Sequence, residues 1–246
     1  CAVMLECVQG ESGVHPWDPD TLFEVARFCH KNGILLIVDE VQSGFYRCGE
    51  FPFSFQNMGI TPDIITMAKG IASGFPMGAC AARIEVAEAF GPGDHGSTFG
   101  GSNLAMAAAH ATLATLTHGH FDEDVQELGE YFSAGLGEID GITEVRGLGL
   151  MIGADLEESI DANLVVAKGL EDGFLLNATG PQTLRFLPPL IVTRKEIDQL
   201  LKALPGMIAA VRDGWKPAED EEEQDEASAE SSEASATEEV AVEDAE

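Results

Sequence analysis

LLIVDEVQSG, residues 35 to 44, is an apolar run that stops abruptly at two carboxylates and an amide. With Ile34 it gives five consecutive apolar positions, Ile34 to Val38, without polar alternation, which reads as a strand covered on both faces in a parallel sheet. Asp39 falls where that strand leaves the sheet. In open α/β sheets ligands bind outside the carboxyl ends of strands, so Asp39 is a candidate ligand group. A lone aspartate capping a turn would look the same, and the other strand ends must decide between the two.

Outward from this strand, the first 115 residues alternate short apolar runs with helical patterns, the signature of βαβ units. AVMLECV (2–8) reads as a strand and DPDTLFEVARFCHKNG (18–33) as a helix closed by Gly33. Asp18 is its cap, Pro19 suits its first turn, and Leu22, Val25, Ala26 and Cys29 form its apolar stripe. DIITMAK (63–69) is a third strand, GACAARI (78–84) a fourth, and GSNLAMAAAHATLATL (101–116) a helix capped by Ser102. From residue 118 the texture changes. A helix over 121–140, a hairpin or bent strand over 144–156, a helix over 163–173, the segment TLRFLPPLIV and a last helix from Thr193 suggest a smaller α+β domain.

The next candidate is Lys69, which closes the 63–69 strand and opens a glycine-rich turn. It follows Asp39 by about one βαβ unit, so both project toward one crevice. Flanked by Ala68 and Gly70, it is expected to be partly desolvated, which would lower its pKa and make the amine a usable nucleophile. Pyridoxal phosphate needs such a lysine, together with an acid that keeps its ring nitrogen protonated. Surface lysines end many strands, however, and spacing alone leaves the matter open. In GDHGSTFGGSN (93–103), Ser97 and Thr98 sit among glycines ahead of a helix, which suits a phosphate weakly. The glycines of RGLGLMIG (146–153) lack the nucleotide-loop arrangement, and a packed strand is favoured there.

Composition narrows the classes. The 246 residues carry 13 Lys and Arg against 43 Asp and Glu, a net charge of −30, of which −14 lies in Pro217 to Glu246 and −16 in the rest. That balance repels nucleic acid and anionic membranes. No stretch approaches the roughly 20 apolar residues of a membrane span. The acidic surface fits a high-salt cytoplasm or an ordinary acidic enzyme, and the Ala/Ser/Glu tail, 216–246, is expected to be disordered. Five cysteines without a C-x-x-C pair point to reduced thiols in a cytoplasm. His118 and His120 have no acid or thiol at ligand spacing, so no metal site is expected.

ECVQGESGV, LLIVDEVQSGFYRCG, DIITMAKGIASGFPMGA, DHGSTFGGSNLAMAAA, EVRGLGLMIGADL and RFLPPLIVT occur in the order found in class III pyridoxal-phosphate aminotransferases. The sequence resembles that family from residue 2 to about 212, most nearly its acetylornithine and acetyllysine branch, including enzymes that act on semialdehydes held by an amino-group carrier protein. The resemblance implies fold type I of the pyridoxal-phosphate-dependent transferases. Residues 1–117 would be the C-terminal part of the large, mostly parallel-sheet domain, and 118–215 the small α+β domain. It further implies that Asp39 pairs with the ring nitrogen, Val41 packs on the ring, Gln42 bonds the ring hydroxyl, and neighbouring Glu40 belongs to the same cofactor-binding set. Lys69 would hold the cofactor through an imine and carry the substrate proton.

Thr98 would bind the phosphate of the neighbouring subunit's cofactor, with Ser97 near that site's substrate, so the implied unit is a homodimer with shared active sites. Glu11 and Arg185 would be a gating pair for the α-carboxylate of glutamate or 2-oxoglutarate, although a structural ion pair would place the same two residues together. The activity implied is transamination of a terminal semialdehyde on an acylated or carrier-bound ornithine or lysine precursor, with 4-aminobutyrate- or ornithine-type transamination, or a role in dimerisation alone, as the alternatives. Two departures from the family stand out: Ser102, Asn103 and Leu104 replace its usual Asn and Pro, and Cys48 replaces a Thr. The family's phosphate loop, ring-stacking aromatic and first substrate arginine have no counterpart in these residues, so the chain is expected to lack the first half of the fold.

Overall fold

The computed structural model describes residues 1–218; most of the acidic tail lies outside the described residues. The elements run β1 (Ala2–Leu5), β2 (Val8–Gln9), β3 (His15–Pro16), α1 (Pro19–Lys31), β4 (Leu35–Asp39), α2 (Ser54–Asn57), β5 (Ile64–Met67), β6 (Ala79–Ala82), α3 (Ile84–Ala87) and α4 (Asn103–His118). They continue with α5 (Phe121–Gly137), β7 (Ile142–Leu148), β8 (Met151–Leu156), α6 (Ala162–Glu171), β9 (Thr183–Phe186) and α7 (Arg194–Arg212). A four-stranded sheet has the order β1-β4-β5-β6, and a three-stranded antiparallel sheet the order β7-β8-β9.

In the first sheet β1, β4 and β5 are parallel, with Met4 opposite Ile37 and Asp39 opposite Thr66, while β6 closes the edge antiparallel to β5. β4 departs from expectation in burial: Leu36 and Val38 are buried, but Leu35, Ile37 and Asp39 are only half-buried. The reason is packing on one side, where Leu22 of α1 meets Leu36, Val38, Met58 and Ile60, the other face being covered only in part. α1 follows its sequence signals. Asp18 Oδ1 accepts the Thr21 N–H at 2.9 Å, Pro19 opens the first turn, and Leu22 and Cys29 are buried.

The strand expected over 2–8 is broken instead. After Leu5 the chain turns off the sheet: the Glu6 carboxylate accepts the Gly10 N–H at 3.2 Å, and Val8–Gln9 pairs with His15–Pro16 as a small hairpin. Arg146 of β7 ties this hairpin to the second sheet by donating Nε–H to the Gly13 carbonyl at 2.9 Å. Its two terminal nitrogens grip Asp155 of β8 at 2.6 and 2.8 Å. That bidentate partner holds the Asp155 carboxyl below its ordinary 3.8. Residues 146–153 thus form two paired strands rather than a nucleotide loop.

The second core is the larger one. Phe132 and Leu136 of α5, Ile152 of β8, Leu184 and Phe186 of β9, and Leu204 of α7 pack together, each burial contributing about 1.5–3 kcal/mol. α7 begins with a reciprocal cap in which Thr193 and Glu196 satisfy each other's backbone N–H groups. At the β7–β8 turn, Gly149 has φ +55° and so close an approach that a Cβ would meet Gly49 N at 2.6 Å and the Arg47 carbonyl at 2.8 Å. Against the same turn lies Gly129 of α5, whose Cβ would meet the Gly149 carbonyl at 2.1 Å. Gly129→Ala should therefore force α5 off this turn and lower stability by about 1–3 kcal/mol. Denaturant unfolding checks this, and an unchanged midpoint would mean the helix shifts at no cost.

Candidate active site

β4 and β5 end side by side, and the chain leaving each builds one wall of a cavity of about 700 Å³, within the range of small-molecule sites. Val41, Gln42, Phe45 and Arg47 come from the loop after β4, and Lys69 from the turn after β5. Arg185, from β9 of the other sheet, faces them. Lys69 opens a 3₁₀ turn, Lys69–Ala72, at φ +44°. For a residue with a Cβ this is an uncommon backbone state of the kind that clusters at functional sites. The expected shielding of Lys69 is not provided by the described residues, among which Lys69 is exposed.

The two acids at the end of β4 have different tasks. Asp39 Oδ1 accepts the Val41 N–H at 2.9 Å, which fixes the carboxylate at the strand end beside the cavity rather than in its lining. Glu40 is fully buried and turned into the loop. It accepts the Ser43 hydroxyl at 2.9 Å, the Ser54 N–H and hydroxyl at 3.0 and 2.8 Å, and the Phe55 N–H at 2.9 Å. Burial pushes its pKa up against these bonds. The Glu40 carboxylate is thus consumed in holding α2 to the loop and is turned away from the cavity. Burial likewise raises the nearby thiols, Cys7 to about 12 and Cys48 further, so neither is a thiolate near neutral pH.

Arg185 and Glu11 meet as the sequence suggested, Nη1 to Oε1 at 2.9 Å. Arg185 also donates to Asn177 Oδ1 at 2.9 Å and the Gly10 carbonyl at 3.2 Å, while Gln42 Nε2 donates to the same Glu11 oxygen at 2.6 Å. Hydrogen bonds from Arg185 and then Gln42 hold the Glu11 carboxyl low, with a smaller push from Lys69. The pair is asymmetric, the Arg185 side chain being 12% exposed and that of Glu11 72%. Glu11 can swing into water at little desolvation cost, whereas Arg185 would stay where it is. Ser97 and Thr98 are not brought to the cavity; they stand on an exposed loop ahead of α4.

The sequence profile described as aminotransferase class III matches residues 1–208. The chain belongs to the class III aminotransferases. Among curated relatives, the acetylornithine aminotransferase of Streptococcus mutans is 48% identical over 202 residues, covering 80% of this chain and 52% of that protein. That of Caldanaerobacter subterraneus subsp. tengcongensis is 44% identical over 216 residues, 86% of this chain and 54% of the relative. Of solved structures, an ornithine aminotransferase from Toxoplasma gondii superposes with a TM-score of 0.80 at 33% identity, covering 86% and 51% of the two chains. The N-acetylornithine aminotransferase of Stenotrophomonas maltophilia gives 0.76 at 34% identity, covering 85% and 56%. The chain thus spans about half the length of the relatives it matches.

Class III aminotransferases depend on pyridoxal phosphate and have fold type I, to which the parallel strands and the second antiparallel sheet conform. Among the described residues no helix is long and apolar enough to cross a membrane. One wall residue of this class III chain escaped the sequence reading. Arg47 stands in the cavity lining with its guanidinium largely withdrawn from water, which lowers its pKa to about 10. No local signal marks it, because the same loop also carries Glu40, Gln42, Ser43 and Glu50.

Proposed function

We propose that this protein transfers an amino group between glutamate or 2-oxoglutarate and the terminal semialdehyde of an acylated ornithine precursor, as in arginine biosynthesis. The observation that carries the reading is that Lys69 and Arg185 line one cavity, with Glu11 paired to Arg185. Relatives named acetylornithine aminotransferase, at 43–48% identity, support the substrate class. When bound, pyridoxal phosphate supplies an electron sink. The donor set fits that group: Asp39 would hold the ring nitrogen protonated, Gln42 the ring hydroxyl, and Val41 a ring face.

Lys69 Nζ would anchor the cofactor covalently and, once released, would take the proton from the substrate carbon that bears the amino group and deliver it on the cofactor side of that nitrogen. Arg185 would grip the α-carboxylate of glutamate by parallel hydrogen bonds, and Glu11 would cover Arg185 while the terminal amine reacts. We further propose that residues 1–117 and 118–215 act as separate domains and that the protein works as a cytoplasmic homodimer. Ser97 and Thr98 would then serve the neighbouring subunit's site, in keeping with their exposure away from this cavity. A lysine precursor or a carrier-bound semialdehyde would use the same chemistry.

Similarity to ornithine aminotransferase structures favours unacylated ornithine as the second reading. Assay of the protein from its whole reading frame, loaded with pyridoxal phosphate, separates the two. With 2-oxoglutarate as acceptor, kcat/KM should be highest for N-acetylornithine over ornithine, acetyllysine and 4-aminobutyrate. A preference for ornithine would select the second reading, and no turnover with any donor would overturn both.

A further inference from the structure

Arg47 is held by main-chain carbonyls rather than by a carboxylate. Its Nη1 donates to the Leu150 carbonyl at 3.0 Å and to the Pro188 carbonyl at 2.6 Å, and its own carbonyl accepts the Leu150 N–H at 3.0 Å. Leu150 belongs to the β7–β8 turn that Gly149 seats against Arg47 and Gly49. Pro188 follows Arg185 closely, just beyond the end of β9. One side chain therefore joins the loop carrying Gln42 to the two segments of the second sheet that flank Arg185.

We infer that Arg47 is a positioning residue, fixing Arg185 at the depth in the cavity where it meets a substrate carboxylate. The inference rests on the reading of Arg185 given above. A bare structural strut would use a neutral donor more cheaply, because withdrawing a guanidinium from water without a carboxylate is costly. What a long cation adds is reach to two carbonyls at once with a charge that keeps both bonds strong. Loss of the clamp would let the Leu187–Pro189 segment, and Arg185 with it, drift from Gln42 and Glu11. A displacement near 1 Å costs on the order of 100-fold in well-oriented reactions, so a partial loss of about tenfold is the expected scale.

The test uses the whole protein with Arg47→Met and Arg47→Lys, and two readouts. Hydrogen exchange should show the Leu150 amide losing protection in Arg47→Met and recovering in Arg47→Lys. The dissociation constant of 2-oxoglutarate should rise about tenfold in Arg47→Met, with the KM of the amine donor little changed, and Arg47→Met in an Arg185→Ala background should add nothing. Exchange lost without a change in 2-oxoglutarate binding would overturn the positioning role, as would equal losses on both substrates or additive losses in the double variant. If Arg185→Ala alone leaves 2-oxoglutarate binding unchanged while Leu150 exchange still responds to Arg47, the functional reading of Arg185 fails, and this inference with it.

Discussion

Lys69→Ala is expected to lower turnover by at least about 10²–10⁴-fold, the contribution of a positioned acid–base group, with the loss of the covalent anchor added to it. The expectation comes from position. Lys69 follows β5, whose neighbour β4 ends in Asp39, and its backbone at φ +44° aims the chain into the cavity rather than onward along the sheet. Charge is not the reason for the loss, because Lys69→Arg keeps a cation whose guanidinium neither forms the anchor nor gives up a proton. Both variants should therefore fail alike. Alanine has the same Cβ and the same left-handed cost as lysine, so stability should hardly change. Borohydride treatment of the loaded wild-type protein, followed by peptide mapping, should label Lys69. Label on another lysine, or an active Lys69→Arg protein, would overturn the assignment.

Arg185→Ala is expected to raise KM for glutamate and 2-oxoglutarate by roughly 10- to 150-fold, the range for losing a charge-assisted contact of about 1.5–3 kcal/mol. The KM of the amine donor should barely move. The asymmetry of the pair is the physical ground. Arg185 is locked by Asn177, Gly10 and Glu11, whereas Glu11 is mostly in water, so leaving Arg185 would cost it little desolvation. A purely structural ion pair would give a different pattern, with stability and both half-reactions declining together. Single-turnover measurements of each half-reaction distinguish the two cases, and equal losses would reject the gate.

The site was legible where side-chain type and strand ends coincide. Asp39 and Lys69 were singled out because an apolar run that stops at a polar residue marks the edge of a sheet, whereas Gln42 came from the resemblance. Arg185 and Glu11 were proposed through the resemblance, since nothing local in TLRFLPPL says which residue lies across from it. The direction of Glu40 was not legible, because a carboxylate next to Asp39 looks the same in sequence whether it faces the cavity or the loop. Only the arrival of Ser54 and Phe55, which depends on the turn through Gly44 to Pro52, decides its direction. The strand over 2–8 failed for a similar reason: AVMLECV has apolar residues throughout, and the turn that breaks it is made by Glu6 with Gly10 beyond its end. The burial of Arg47 depends on Leu150 and Pro188, more than a hundred positions away, and no local pattern carries that information.

The partnership of Glu11 with Arg185, 174 positions apart, also bears on how the protein is made. β1, β4 and β5 pair through short crossovers, so the lysine wall can take shape while the rest of the chain is still being synthesised. Arg185 emerges later, on a strand that must first be enclosed by α5, β8 and α7. Closing so long a loop is entropically slow, and a contact of this kind forms after the local ones. Arg185 thus joins the cavity after Lys69, and a nascent chain presents the lysine side of the cavity before the arginine side.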